Sequence, residues 1–333
     1  MNEVAVRRAA WLLAGLALPL LLGLHLLPAL LAGLLLYELV HLTAPMLAGR
    51  LTSQRAKLAS VALLTALMVG AVTLGVAGAA AFFRSEAGSL PALAAKMAEI
   101  LENSRASLPN WLVAWLPANA EALKDTAVHW LRSHGGELQL AGKEAARTIA
   151  HVLIGLVIGA MLALREATVA EAMRPLAAAL AERARRLADA FRRIVFAQVR
   201  ISAVNTAFTA IYLVAVLPLF GIQLPLTKTM IALTFVVGLL PVIGNLISNT
   251  VIVVVSLAHS PQVALASLAF LVVIHKLEYF LNARIVGAQI SAKAWELLLA
   301  MLTMEAAFGL PGVIAAPIYY AYLKDELKDA GLV

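Results

Sequence analysis

Cysteine is absent from the 333-residue chain. That excludes a disulfide framework, a thiolate nucleophile and any thiolate-ligated metal site. Charge is scarce. Asp, Glu, Lys and Arg make up 14% of the residues, against about 25% in a soluble globular chain. Enzyme signatures are missing too: no HExxH, no GxSxG elbow, no P-loop, no glycine-rich dinucleotide fingerprint. Asp125 and Asp189 fall outside the apolar runs, so no aspartate pair of an intramembrane protease is in place. The reading is a non-enzyme that calls for no cofactor and no metal.

What the chain has is hydrophobicity: 62% apolar residues and a mean hydropathy of +0.90. It comes in blocks, separated by short clusters of Arg, Lys and Glu. A bilayer core needs about 20 consecutive apolar residues per helix. Backbone polar groups in lipid must be satisfied within the segment, so spans are helices or barrel strands. Leu- and Ala-rich runs without strict alternation select helices. The expected fold is all-α, a polytopic transmembrane helical bundle of about eight spans with interrupted helices in the C-terminal half. The lipid bilayer is then the first partner. The net charge of +7 suits cytoplasmic loops, which carry excess Lys and Arg, and no nucleic acid is expected.

Along the chain, Arg7 and Arg8 precede an apolar run from Ala9 to Ala48, read as two helices joined near Gly23–Pro28. The run continues without a polar stretch, which argues against a cleavable signal peptide. A third span covers Leu58–Phe83, with Ala71, Gly75 and Ala79 forming a small-residue stripe. Residues 1–83 make the N-terminal membrane part. Residues 84–147 are polar, with short amphipathic stretches (Leu90, Leu93, Met97, Leu101) and interfacial Trp111, Trp115 and Trp130. They are placed outside the cytoplasm. The fourth span, 148–164, carries Gly155, Gly159 and Ala163 on one face, with His151 one turn earlier. Residues 165–200 form a basic amphipathic helix with an apolar stripe of Leu176, Leu180, Leu187 and Phe191, lying on the cytoplasmic membrane surface or against the bundle. A lipid-sensing or coupling helix and a plain connector are both open. Residues 201–323 hold four more spans, at Ile201–Phe220, Met230–Leu257, Val263–Leu281 and Trp295–Leu323. A cytoplasmic tail, 324–333, follows. The stretch near Arg284 and Lys293 would then face outward, against the charge rule, unless segment 282–294 is re-entrant.

Polar residues in lipid are expensive and usually functional. Pro241 and Gly244 interrupt the sixth span, with Asn245 and Asn249 on one face. His275, Glu278 and Asn282 share a face of the seventh. Glu305 lies in the eighth, just before Gly309, Pro311 and Gly312. Interrupted helices bare backbone groups, which only protein or water can cover, and in transporters such breaks mark solute or ion sites. A buried carboxylate must be protonated, paired or hydrated; one poised at Glu305 can carry a proton. The bland alternative for each residue is a structural hydrogen bond or ion pair, such as Glu278 with Lys276 or Arg284. Glu38 and His41 read as interfacial.

Several motifs together resemble the autoinducer-2 exporter family of bacterial permease-like membrane proteins. Leu239-Leu240-Pro241-Val242-Ile243-Gly244 is similar to its Ile-Pro-x-x-Gly helix break. Asn282-Ala283-Arg284-Ile285-Val286-Gly287 resembles its (Asn/Gln)-Pro-x-Ile-x-Gly loop. Phe308-Gly309-Leu310-Pro311-Gly312, with Ala316-Pro317, resembles its final Gly-x-x-Gly…Ala-x-Pro span, and Gln198 matches a Gln at the head of the fifth. The order and spacing agree over essentially the whole chain. Ala283 stands where proline is usual, Asn245 where proline is frequent, and Glu305 where small residues are. The resemblance implies a bacterial inner-membrane transporter exporting a small polar solute or signalling molecule. It also leaves open a sodium(lithium)/proton antiporter, and implies a homo-oligomer such as a pentamer. Lacking an ATPase module, the chain would draw on an ion gradient or a partner. A non-transporting membrane scaffold is the rival class.

Overall fold

The computed structural model describes residues 3–48, 53–84, 135–168, 173–240, 243–257, 259–290 and 293–332, with positions 129 and 133. Among them there is no strand. Ten helices of twelve residues or more follow in order: α1 (Glu3–Gly23), α2 (Leu27–Ala48), α3 (Ser53–Arg84), α4 (Gly135–Thr168), α5 (Pro175–Ile211), α6 (Thr227–Gly238), α7 (Ile243–Leu257), α8 (Pro261–Ile290), α9 (Ala294–Phe308) and α10 (Leu310–Asp329). The all-α polytopic bundle read from composition is the fold. By length and composition, five stretches are apolar and long enough to cross a membrane: Ala5–Gly23, Leu27–Leu47, Gln54–Gly78, Gly142–Arg165 and Pro175–Leu219. Shorter apolar helices cover Thr227–Gly238, Gly244–Leu257 and Pro261–Lys276. The amphipathic stretches and tryptophans of 84–134 lie outside the described residues.

The chain divides into two compact units. The first holds Met1–Gly75, Ala141–Ile194 and Gln289–Val333. In it α1 turns into α2 where the sequence places the turn. His25 sits at φ +57, and the Leu26 and His25 N–H groups return to the Leu21 and Leu22 carbonyls at 2.8 and 3.0 Å. This closes the helix end with a residue in the left-handed region. The small-residue face of α4 meets α2. A Cβ on Gly155 would run into the Ala29 backbone, and one on Gly159 into Gly33; Ala163 and Leu156 are fully buried. The His151 imidazole Nδ1 stands 3.1 Å from the His25 carbonyl oxygen. The α3 stripe behaves differently, with open space around Gly75.

The basic segment and the fifth span are one helix, because nothing between Pro175 and Pro218 breaks it: no glycine or proline intervenes. Its arginines are largely spoken for. Arg183 pairs with Glu326 at 3.0 Å, both nearly buried, and lies 5.9 Å from the Trp11 ring. Arg186 meets Asp329 at 2.5 Å, and Arg193 pairs with Asp325. Phe191 is 2% exposed. Within the first unit these contacts set the helix against the end of α10. Glu38 is 4% exposed and lies 3.8 Å from the half-exposed Arg192.

The second unit holds Val76–Leu140 and Val195–Ala288. Its core gathers Tyr212, Leu213, Leu217, Met230, Ile252, Val263 and Leu271 from the end of α5 and from α6, α7 and α8. At Tyr212–Val216 the α5 helix widens into a π turn, a feature frequent at functional sites.

Candidate functional site: two folded-back helix pairs

The interruptions read from sequence are present, and each goes further than a kink. In the second unit α6 and α7 pack along each other. Leu239 and Leu240 end the first arm by short-range bonds to Val236 and Val237, and α7 starts at Ile243. Gly244 makes the fold-back possible: a Cβ there would collide with the Val237 carbonyl. Pro241 itself lies outside the described residues.

A helix that stops leaves carbonyls without partners. The polar face of α5 supplies them. The Gln198 amide donates to the Gly238 carbonyl at 2.8 Å. The Ser202 hydroxyl donates to the Phe235 carbonyl at 2.7 Å. The Asn205 amide donates to the Asn245 side-chain oxygen at 2.9 Å. Spacings of four and three keep these on one helical face, and Ser202 and Asn205 are buried. One α5 turn further, Thr209 is buried as well. Beyond it Tyr212 hydrogen-bonds Ser267 at 2.9 Å, and Ser267 bonds Ser256 at 2.8 Å. The seam is neutral throughout, built of amides and hydroxyls. Asn249 is half-buried one turn along α7 from Asn245, and His275 on α8 is exposed. Glu278 and Asn282 fall on α8 at positions whose side chains lie outside the described residues.

In the first unit α9 and α10 make the second pair. Gly309 forms the tip at φ 65, ψ −147, a conformation L side chains rarely adopt. Its N–H returns to the Glu305 carbonyl at 2.7 Å. Gly312 lets the arms close, since a Cβ there would strike the Met304 carbonyl. Glu305 stands one turn before the tip with its side chain exposed. It is eleven residues into α9, about 16 Å from the mouth at 1.5 Å per residue. At that mouth Glu296 accepts from Tyr320 at 2.5 Å and Lys324 at 2.7 Å, so the arms run antiparallel.

Glu305, Gly309 and Gly312 therefore sit together in the first unit. Gly244, Asn245 and Asn249 sit together in the second. The sequence reading noted Gln198 but missed Ser202, Asn205, Tyr212, Ser256 and Ser267. Single polar residues at helical spacing inside the fifth span were the available signal.

A bundle of membrane-length helices holding interrupted, folded-back pairs with polar groups at their breaks has the architecture of a transporter. The comparison with protein families agrees: residues 9–330 match the family described as AI-2E family transporter, and the chain belongs to it. No curated protein and no solved structure matches it.

Proposed function

We propose that the protein is a secondary transporter of the bacterial inner membrane that exports a small polar solute or signalling molecule, coupled to protons or sodium. The observation that carries this reading is the α6–α7 break laid along the Gln198–Ser202–Asn205 face. Neutral amides and hydroxyls bond there to carbonyls that the break has freed. A polar solute replaces such bonds at little cost, because each is worth only about 1 kcal/mol net. His275, Glu278 and Asn282 on α8 join the path in this reading.

Glu305, carried near the tip of the α9–α10 pair, is the coupling carboxyl. Its side chain is exposed one turn before the tip, at a depth where a carboxyl is costly in lipid and usually functional. That one carboxyl also favours the second reading, a sodium(lithium)/proton antiporter. Glu296 bonds Lys324 across the α9–α10 pair, which supports putting Lys293 on the same side as the tail, the cytoplasmic side that the charge rule favours. Both termini are cytoplasmic and residues 84–147 external. The small-residue stripe of α3, open within one chain, suits a homo-oligomer.

The test is flux in proteoliposomes under imposed proton and sodium gradients, for the parent and Glu305→Gln. The variant keeps size and hydrogen bonding but cannot titrate. It is expected to assemble normally and lose pH-dependent flux. Full retention of that dependence ends the coupling role, and absence of flux from the parent under every gradient favours the scaffold.

A further inference from the structure

We infer that Glu296, Tyr320 and Lys324 form a clamp that holds the mouth of the α9–α10 pair shut and so positions its tip. One carboxylate oxygen, Oε2 of Glu296, gathers three donors. The Lys324 ammonium donates at 2.7 Å, the Tyr320 hydroxyl at 2.5 Å, and the Lys293 backbone N–H at 3.2 Å. The last contact is local and caps the start of α9. The first two cross from one arm to the other, over 24 and 28 residues of chain. The Lys324 ammonium also stands 5.6 Å from the Tyr320 ring, so the donors on α10 support each other.

The clamp is a different device from the packing at the tip. Near Gly309 and Gly312 the arms meet backbone to backbone, which fixes closeness but needs no charge. At the mouth the outward residues of α9 are apolar and exposed, Leu298 at 58% and Leu299 at 56%. They face away from the other arm, while Leu297, Ala300 and Met301 are partly buried and the polar trio crosses between the arms. Lys324, followed by Tyr320, holds the Glu296 carboxyl far down, at about 2, and the Lys324 ammonium is raised in return. Both partners are thus charged at any physiological pH. Because the clamp is an ion pair of partly exposed side chains, 16% and 18%, it is strong enough to bias the mouth and weak enough to release.

This rests on the reading of the α9–α10 pair as part of the transport path, and the two are separable. The chain has no cysteine, so Leu298→Cys and Leu323→Cys, both exposed, give one pair of spin labels at the mouth. Distances are measured in liposomes alongside flux. Lys324→Gln and Glu296→Gln are expected to shift population to longer distances by up to about fivefold, the factor an exposed ion pair carries. Lys324→Arg is expected to stay closed, and Tyr320→Phe to fall between. Distances in Lys324→Gln and Glu296→Gln identical to the parent overturn the clamp, whatever the flux does. An opened mouth with unchanged flux confirms the clamp and removes this helix pair from the transport path.

Discussion

The two folded-back helix pairs solve one problem with opposite chemistry. In each, a glycine lets backbone meet backbone: Gly244 against Val237, Gly312 against Met304. The α6–α7 pair is then held by neutral groups, Gln198, Ser202 and Asn205. The α9–α10 pair is held by charge: Glu296 with Lys324 at its mouth, and Arg183, Arg186 and Arg193 gripping the end of α10. The difference follows from solvent. Ionised groups are costly deep in lipid and cheap near water, whereas amides and hydroxyls are tolerated at depth when paired. Each pair is thus held by the kind of contact its own unit supplies, ion pairs in the first and amides and hydroxyls in the second.

The largest effect expected from breaking this contrast is at Gly244. Gly244→Leu puts a side chain where the Val237 carbonyl stands, and backbone cannot yield as a side chain does. Transport is expected to fall about tenfold, the factor of about 1.4 kcal/mol, which lies within the roughly 1–3 kcal/mol that overpacking costs. Assembly should fall less, as size-exclusion chromatography would report. Gly75→Leu, at a site with open space, is the control; equal loss in both would dissolve the argument. Next comes the buried pair on the charged side. Glu326→Gln leaves Arg183, 7% exposed, with the half-exposed Glu182 at 3.7 Å as its charged neighbour. Stability is expected to drop by about 3 kcal/mol, with Arg183→Met plus Glu326→Gln costing less than Glu326→Gln alone. Thermal unfolding in detergent checks this, and strict additivity would contradict it.

How much of this was legible depended on the kind of contact. Helices came from apolar run length, and the α1–α2 turn from Gly23 and Pro28. The α4 face came from Gly155 and Gly159, since small residues four apart mean close approach. Breaks at Gly244 and Gly309 were visible because glycine and proline are local signals. Their outcome was not, because a kink and a fold-back share the same residues and differ only in what the arms pack against. Glu305 reads from sequence as part of one interrupted span for that reason. The Arg183–Glu326 pair is 143 residues apart in the chain, a separation that no periodicity reports. The Asn205–Asn245 pair, 40 apart, is as hard to see, because glycine and proline mark the break while the helix that supports it carries neither after Pro175. The same limit split α5 in two: its polarity changes near Arg200 although its backbone does not.

The smallest and most discriminating effect is the response to acid. The Lys324 ammonium, followed by the Tyr320 hydroxyl, holds the Glu296 carboxyl down to about 2 in the folded chain, below the ordinary value of about 4.3. A lowered folded value means that the folded state holds the carboxylate more firmly than the unfolded state does. The stabilisation is then fully present above about pH 4.3 and is lost as pH falls toward 2. The Gln198, Ser202 and Asn205 bonds involve no titrating group, so the neutral seam has no such dependence. Spin-label distances across the mouth of α9–α10 are therefore expected to stay constant from pH 8 to about 5 and lengthen below about 4. A label pair across α6–α7 should not move over that range. Glu296→Gln supplies the internal check. It should show the longer mouth distance already at neutral pH and respond less to acid. If the mouth opens on acidification equally in the parent and in Glu296→Gln, another carboxyl controls it, and the assignment of charge to this one contact fails.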